Sequence, residues 1–215
     1  LHPNSLEEVT AGISLYRPGP MDFIPNYLKG KENQDAIVYA TPQLEHILKP
    51  TYGCIVYQEQ VMQIVRDLAG YSLGGADNVR RAMAKKKMHV MEEERKNFVY
   101  GHEDPEDPSK TIPGCVRNGI SVEVANQIFD QMIEFANYAF NKSHAACYAV
   151  VSYQTAYLRH YYPAEFMAAL MSSFVDNSTK VSSYISVCRD MGIQVLPPDV
   201  NVGAGFLSGT ITVKM

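Results

Sequence analysis

Nothing in this 215-residue sequence approaches the roughly 18 consecutive apolar residues that a membrane helix needs. The opening stretch, LHPNSLEEVT, has neither a basic start nor an apolar core, so it does not read as a signal peptide. No two cysteines stand at C-x-x-C spacing. Cys54, Cys115, Cys147 and Cys188 lie far apart with no histidine pattern beside them. That spacing argues against the usual zinc modules and predicts scattered, buried thiols in a reducing cytosol. There is also no excess of positive charge: the formal net charge is -4, which argues against a protein that coats nucleic acid nonspecifically. Any polyanion contact is therefore local. What is present is an ordinary globular composition, 46% hydrophobic and 20% charged, in a chain long enough for one sizeable domain or two small ones.

Catalytic signatures are missing too. The chain has no H-E-x-x-H, no G-x-S-x-G, no Walker G-x-x-x-x-G-K-[ST] and no Rossmann glycine set. No D-x-D or comparable carboxylate pair is placed to hold two metal ions. The stretch 101–119, GHEDPEDPSKTIPGCVRNG, gathers Glu103, Asp104, Glu106 and Asp107. Their spacing matches no calcium loop, and a solvated turn between two helices is expected there.

Helical periodicity fills most of the rest. Val61, Ile64, Val65 and Leu68 repeat at i, i+3, i+4, i+7, with Gly70 at the position of a C-terminal cap. Ala125, Ile128, Phe129, Met132 and Ala136 do the same behind Ser121, a candidate N-cap. Thr41 and Pro42 open a short apolar turn that Pro50 closes. An aromatic helix is expected from about Ala145 to Tyr161, Pro163 opens another, and a last one ends at Gly192. Strand signals are weak: 54–57, 193–196 and 210–213. The fold class is mostly α, a multi-helix domain with a few short strands.

Against these absences, two stretches collect cations and donors. VRRAMAKKK, residues 79–87, packs Arg80, Arg81, Lys85, Lys86 and Lys87 into nine positions. Gly74 and Gly75 before it read as a turn. As a helix, this stretch buries Ala76, Val79 and Met83 and splays its cations over a wide arc. Adjacent arginines suit phosphate because each guanidinium donates two parallel hydrogen bonds to phosphate oxygens. Farther on, Asn141, Lys142, Ser143 and His144 stand at an expected helix start, where free N–H groups and the dipole favour anions. A solvated helix face for the first stretch, and a plain N-cap for the second, remain open alternatives. Anion-binding equipment without chemistry suggests part of an active site whose remainder lies elsewhere.

Four blocks carry a more specific resemblance: SLYRPGPMDFIPNYLKGK, TYGCIVYQEQVMQIVRDLAGYSLGGADNVRRAMAKKK, FANYAFNKSHAACYAVVSYQTAYLRHYYPAEFMAALM and GIQVLPPDVN. In this order the chain resembles the alpha subunits of bacterial DNA polymerase III, the C-family replicative polymerases. The resemblance implies a fingers domain over residues 1–201, with 202–215 a poorly matched tail. Ala84, Asn137 and Ala139 stand where the family often has glycine, which narrows the backbone choices there.

The resemblance further implies a DNA-directed DNA polymerase, a nucleotidyltransferase of the bacterial cytoplasm, whose palm aspartates and PHP domain precede Leu1. Clamp-binding and OB modules would follow. Arg80 and Arg81 would hold the triphosphate of an incoming dNTP, with Lys85, Lys86, Asn141, Lys142, Ser143 and His144 close by. Arg17 and Tyr138 would reach the nucleotide or template, although bracing of the YRPGP turn suits Arg17 equally well. Tyr148 and Tyr153 are expected in the core rather than stacked on bases. The Mg2+ ions would sit in the palm, so these residues alone would be inactive. Primer–template DNA, the other polymerase domains, the sliding clamp and further replisome subunits are the implied partners. A noncatalytic helical module docking an acidic partner is the rival reading.

Overall fold

A computed structural model of the chain describes residues 1–85, 88–107, 111–136, 138–197 and 213–214. The fold is mostly α, as expected, with ten α-helices among the described residues. It forms two compact units, Leu1–Ala149 and Val150–Met215.

The first unit opens with α1 (Leu6–Leu15), capped by Ser5, whose hydroxyl accepts from the Glu8 amide at 3.2 Å. A 3-10 turn at Pro20–Phe23 leads into α2 (Ile24–Glu32). The Pro42 segment is a 3-10 turn followed by the single turn α3 (Glu45–Leu48). Thr41 does not cap it, because its hydroxyl bonds the side chain of Gln43 instead.

The core is built on α4 (Gln58–Ala69) and α5 (Leu73–Ala84). The predicted stripe Val61, Ile64, Val65 and Leu68 is fully buried, and Gly70 ends α4 with a left-handed φ of 80°. Each such side chain contributes about 1.5–3 kcal/mol through burial. Ala76, Val79 and Met83 of α5 meet it as expected. Gly74 and Gly75, however, lie inside the first turn of α5. Ser72 caps that turn by accepting from the Gly75 amide at 3.1 Å, so the helix begins before the glycines. The short link 70–72 makes α4 and α5 a hairpin, which returns the basic end of α5 toward the start of α4.

Helices α6 (Met88–Tyr100) and α7 (Val122–Ala136) complete this core, the latter capped by Ser121. Between them, Glu103 pairs with Arg117 at 2.8 Å. Asp104 caps the amides of Glu106 and Asp107 at 3.0 and 2.9 Å. The acids of this loop thus serve a turn. The expected strand at 54–57 does not form: Tyr57 makes only an isolated parallel bridge to Phe140, because α4 begins at the next residue.

Helix α8 (Lys142–Tyr161) starts three residues earlier than expected. In the second unit, α9 (Pro163–Ser172) and α10 (Ser178–Asp190) pack through Ala164, Met167, Met171 and Cys188. Strand β1 (Gln194–Val195) pairs antiparallel with β2 (Val213–Lys214), matching one expected strand and the end of another. Residues 210–212 lie outside the described residues. All four cysteines are free; Cys115 and Cys188 are buried as expected, Cys54 is half-buried and Cys147 exposed. Burial pushes the Cys54 thiol up to about 11 and the Cys115 thiol up to about 12, which makes both poor nucleophiles.

A buried carboxyl anchors the N-terminal helices. Glu8 accepts from the Asn4 amide at 2.7 Å, Lys31 Nζ at 2.9 Å and the Tyr52 hydroxyl at 2.6 Å. Burial pushes this carboxyl up, but the bonds from Tyr52, Asn4 and Lys31 outweigh it and hold it below the usual carboxylate range. A depressed folded value means stability present above the unfolded pKa and lost as pH falls through the folded one. Glu8→Ala should therefore destabilise the chain by about 3 kcal/mol at neutral pH, leaving Lys31 without its carboxylate. Chemical denaturation at pH 7 and below about pH 4 tests this, since the difference between wild type and variant should shrink in acid. An equal difference at both pH values would assign the loss to packing.

Candidate phosphate-binding site

The two basic stretches take up different local arrangements. On α5, the buried stripe Ala76, Val79 and Met83 rotates Arg80 and Arg81 toward the outside. Asp77, one turn earlier, meets both. Its Oδ1 accepts from Arg80 Nε at 2.9 Å and Nη2 at 2.7 Å, and its Oδ2 lies 2.7 Å from Arg81 Nη2. The hydrogen bonds from Arg80, reinforced by the charge of both arginines, hold the Asp77 carboxyl below its ordinary value. The Arg80 side chain is 17% exposed and that of Arg81 63%. One guanidinium is therefore anchored while its neighbour faces solvent. Lys85 is exposed at the C-terminal cap, and Lys86 and Lys87 lie outside the described residues. Ala84 is helical, a conformation that alanine adopts without strain.

At α8 the predicted helix start is present, with a feature the sequence did not disclose. Asn141 caps it, its Oδ1 accepting from the His144 amide at 2.8 Å. The Lys142 amide donates to the carboxylate of Glu59 at 3.1 and 3.0 Å, and Lys142 Nζ lies 2.6 Å from Glu7 Oε1. The anion at this helix N-terminus is thus a side chain from the first turn of α4. Ser143 and His144 are exposed, and the His144 ring stands between Phe140 and Tyr148 with centroids 5.6 and 4.9 Å away.

Arg17 ties the end of α1 to the segment just before this helix. Its Nε donates to the Ser14 carbonyl at 2.9 Å and its Nη2 to the Tyr138 carbonyl at 2.6 Å, with the guanidinium 4.4 Å above the Phe140 ring. Desolvation pulls Arg17 below the usual arginine value. Tyr138 lies against Gly19, whose φ of 95° and lack of Cβ admit the ring; a Cβ there would come within 2.5 Å of it. Of the two roles expected for Arg17, the bracing one is visible in these bonds.

Tyr148 and Tyr153 are not core residues: they are 57% and 60% exposed. Helix α8 buries Ala145 and Ala149, small residues that take the packed face and turn the larger rings outward. Tyr157 lies 6.2 Å from Tyr153 and 4.5 Å from Tyr161, a ladder at i, i+4 spacing.

Arg80 and Arg81 are thus joined through Asp77, while Asn141, Lys142 and His144 share the start of α8. Among the described residues no hydrogen bond or ion pair links the two groups. Among the same residues, no group of three or more His, Cys, Asp or Glu side chains is placed to hold a metal ion. Sequence reading missed Asp77, Glu59 and Glu7. Asp77 carries a usable signal, an acid three and four residues before two arginines in a helix. Glu59 and Glu7 carry none, since their partners are distant in sequence.

Residues 1–106 match the family described as Bacterial DNA polymerase III alpha subunit finger domain. The chain is 51% identical over 203 residues to the DNA polymerase III subunit alpha of Neisseria meningitidis serogroup A, covering 93% of this chain and 16% of that protein. The Thermus aquaticus DNA polymerase III subunit alpha is 47% identical over 227 residues, covering 100% of this chain and 18% of the relative. The Escherichia coli K12 protein of the same name is 46% identical over 210 residues, covering 94% and 17%. The chain therefore spans about one sixth of the length of the curated relatives it matches. By these matches, on a mostly helical chain, residues 1–106 carry the finger-domain pattern of bacterial DNA polymerase III alpha subunits, and nearly the whole chain is similar to those subunits.

Proposed function

We propose that residues 1–201 form the fingers of a replicative DNA polymerase and that Arg80 and Arg81 hold the phosphates of an incoming deoxynucleoside triphosphate. The observation that carries this reading is the pair of guanidiniums sharing Asp77, one of them 63% exposed. Phosphoryl transfer asks a protein mainly to position reactants and to offset charge on phosphate oxygens. Two adjacent forks meet that demand. Lys85 and Lys86 add softer attraction. Ser143 and His144 stand outward at the start of α8, whereas Asn141 and Lys142, already engaged with backbone and Glu7, act mainly by holding that start in place. Arg17 supports the same loop, and Tyr138 is a template or nucleotide contact beside it.

In this reading the palm, outside the 215 residues, binds Mg2+, which supplies the metal chemistry of transfer. The neighbouring domains, the sliding clamp and primer–template DNA are partners of the whole polymerase. Alone, the 215 residues do not extend a primer.

Arg81→Ala, placed in the complete polymerase, should lower single-nucleotide incorporation efficiency by about ten- to a hundredfold, the equivalent of one charged hydrogen bond of about 1.5–3 kcal/mol. Arg80→Ala should lose at least as much. Arg117→Ala, exposed and paired only with Glu103 among the described residues, should stay within about twofold. Melting temperatures separate misfolding from a kinetic defect. Equal, small effects in all three would favour a solvated face and a helical docking module.

Primer–template binding by the 215-residue chain should be weak and steeply salt-dependent. Two or three phosphate contacts imply about a ten- to fortyfold loss between about 50 and 200 mM salt. Fluorescence anisotropy at the two salts measures it, and tight, salt-insensitive binding would point to base stacking instead.

A further inference from the structure

Asp77 has a geometry that a simple surface ion pair lacks. Isolated exposed pairs contribute little, since two flexible side chains must be ordered for one screened contact. Here one carboxylate orders two arginines. Oδ1 takes two N–H groups of Arg80, at 2.9 and 2.7 Å, and Oδ2 takes Arg81 Nη2 at 2.7 Å. Two N–H groups of Arg80 and one of Arg81 are used. The other donors of both guanidiniums have no partner among the described residues. Resting on the phosphate-binding reading above, we infer that Asp77 is a positioning residue: it presets the two guanidiniums in one arrangement and leaves their remaining donors for a multiply charged phosphate group.

The charge balance makes the idea specific. Two arginines and one aspartate carry a net charge of about +1. That is a weak trap for a monoanion, but several fixed donors still meet the oxygens of a polyphosphate. Removing Asp77 would raise the local positive charge, so nucleotide affinity has no electrostatic reason to fall. What would be lost is orientation, and orientation acts on the rate of the bound complex. Asp77 thus separates two quantities that a contact residue changes together.

The test is steady-state single-nucleotide incorporation by the complete polymerase, comparing Asp77→Ala, Asp77→Glu, Arg80→Ala and Arg81→Ala, with melting curves for each. Asp77→Ala should lower kcat about tenfold while KM for the nucleotide stays level or falls. Asp77→Glu, which keeps the charge and reaches the same donors, should recover most of the rate. If the alanine variant does not fold, Asp77→Asn replaces it, with the same split and a smaller loss of kcat because one acceptor oxygen remains. A normal kcat in the alanine or asparagine variant, or a rise in KM alone, overturns the inference. Should Arg80→Ala or Arg81→Ala be defective while removal of the Asp77 charge leaves kinetics normal, only the positioning role fails. Should both arginine variants be normal, the phosphate-binding reading fails and takes this inference with it.

Discussion

Gln60 makes four hydrogen bonds from a position 4% exposed, and the first unit is arranged around them. Its Oε1 accepts from the amides of Val56 and Tyr57 at 2.8 and 3.0 Å, and its Nε2 donates to the Ile47 carbonyl at 3.1 Å and the Thr51 hydroxyl at 2.7 Å. A buried amide left with an unmet donor or acceptor would cost about 1–3 kcal/mol for each. All four bonds are made, so the turn after α3, the extended stretch before α4 and the start of α4 are held in one arrangement. The same stretch then serves the next element: Phe140 exchanges backbone bonds with Val56 and Gln58, at 3.1 and 2.9 Å. Glu59, beside Gln60, accepts the first amide of α8. Local order at one helix start thus decides where another begins.

Charge follows a related rule in this unit. Three of the cationic groups singled out by sequence meet a carboxylate of the same chain: Arg80 and Arg81 meet Asp77, and Lys142 meets Glu7. Lys31 meets Glu8 in the same way. A chain of net charge -4 still gathers cations locally, because acids elsewhere outnumber them. The acids beside the site have a different task. They fix how the cations stand, at the cost of part of their attraction for an outside anion.

Much of the fold was legible because burial in helices is periodic. The stripes of α4, α5 and α7 were read correctly, since each position contributes the same apolar signal at the same spacing. Gln60 was not legible: within an amphipathic pattern a glutamine counts toward the solvent face, and only the tertiary neighbours reveal it as a buried hub. Tyr148 and Tyr153 failed for the converse reason. Aromatic residues in a helix suggest a core, but Ala145 and Ala149 occupy the packed side and leave the rings outside. In the candidate site the cations were legible from their clustering. The carboxylates at Lys142, Glu7 on its ammonium and Glu59 on its amide, were not, because pairing across 135 and 83 positions leaves no local trace.

Arginine rather than lysine at positions 80 and 81 follows from the same geometry. A lysine ammonium is a point charge, and once it sits on Asp77 its attraction is largely spent on that one partner. A guanidinium has five donors spread across a rigid plane, so Arg80 can give two to Asp77 and still present others elsewhere. Lys85, at the cap of α5 and exposed, has no such anchor among the described residues and needs none if it supplies only long-range attraction. Along this one helix, arginines one turn from the aspartate are thus anchored donors, and Lys85 follows them at the cap.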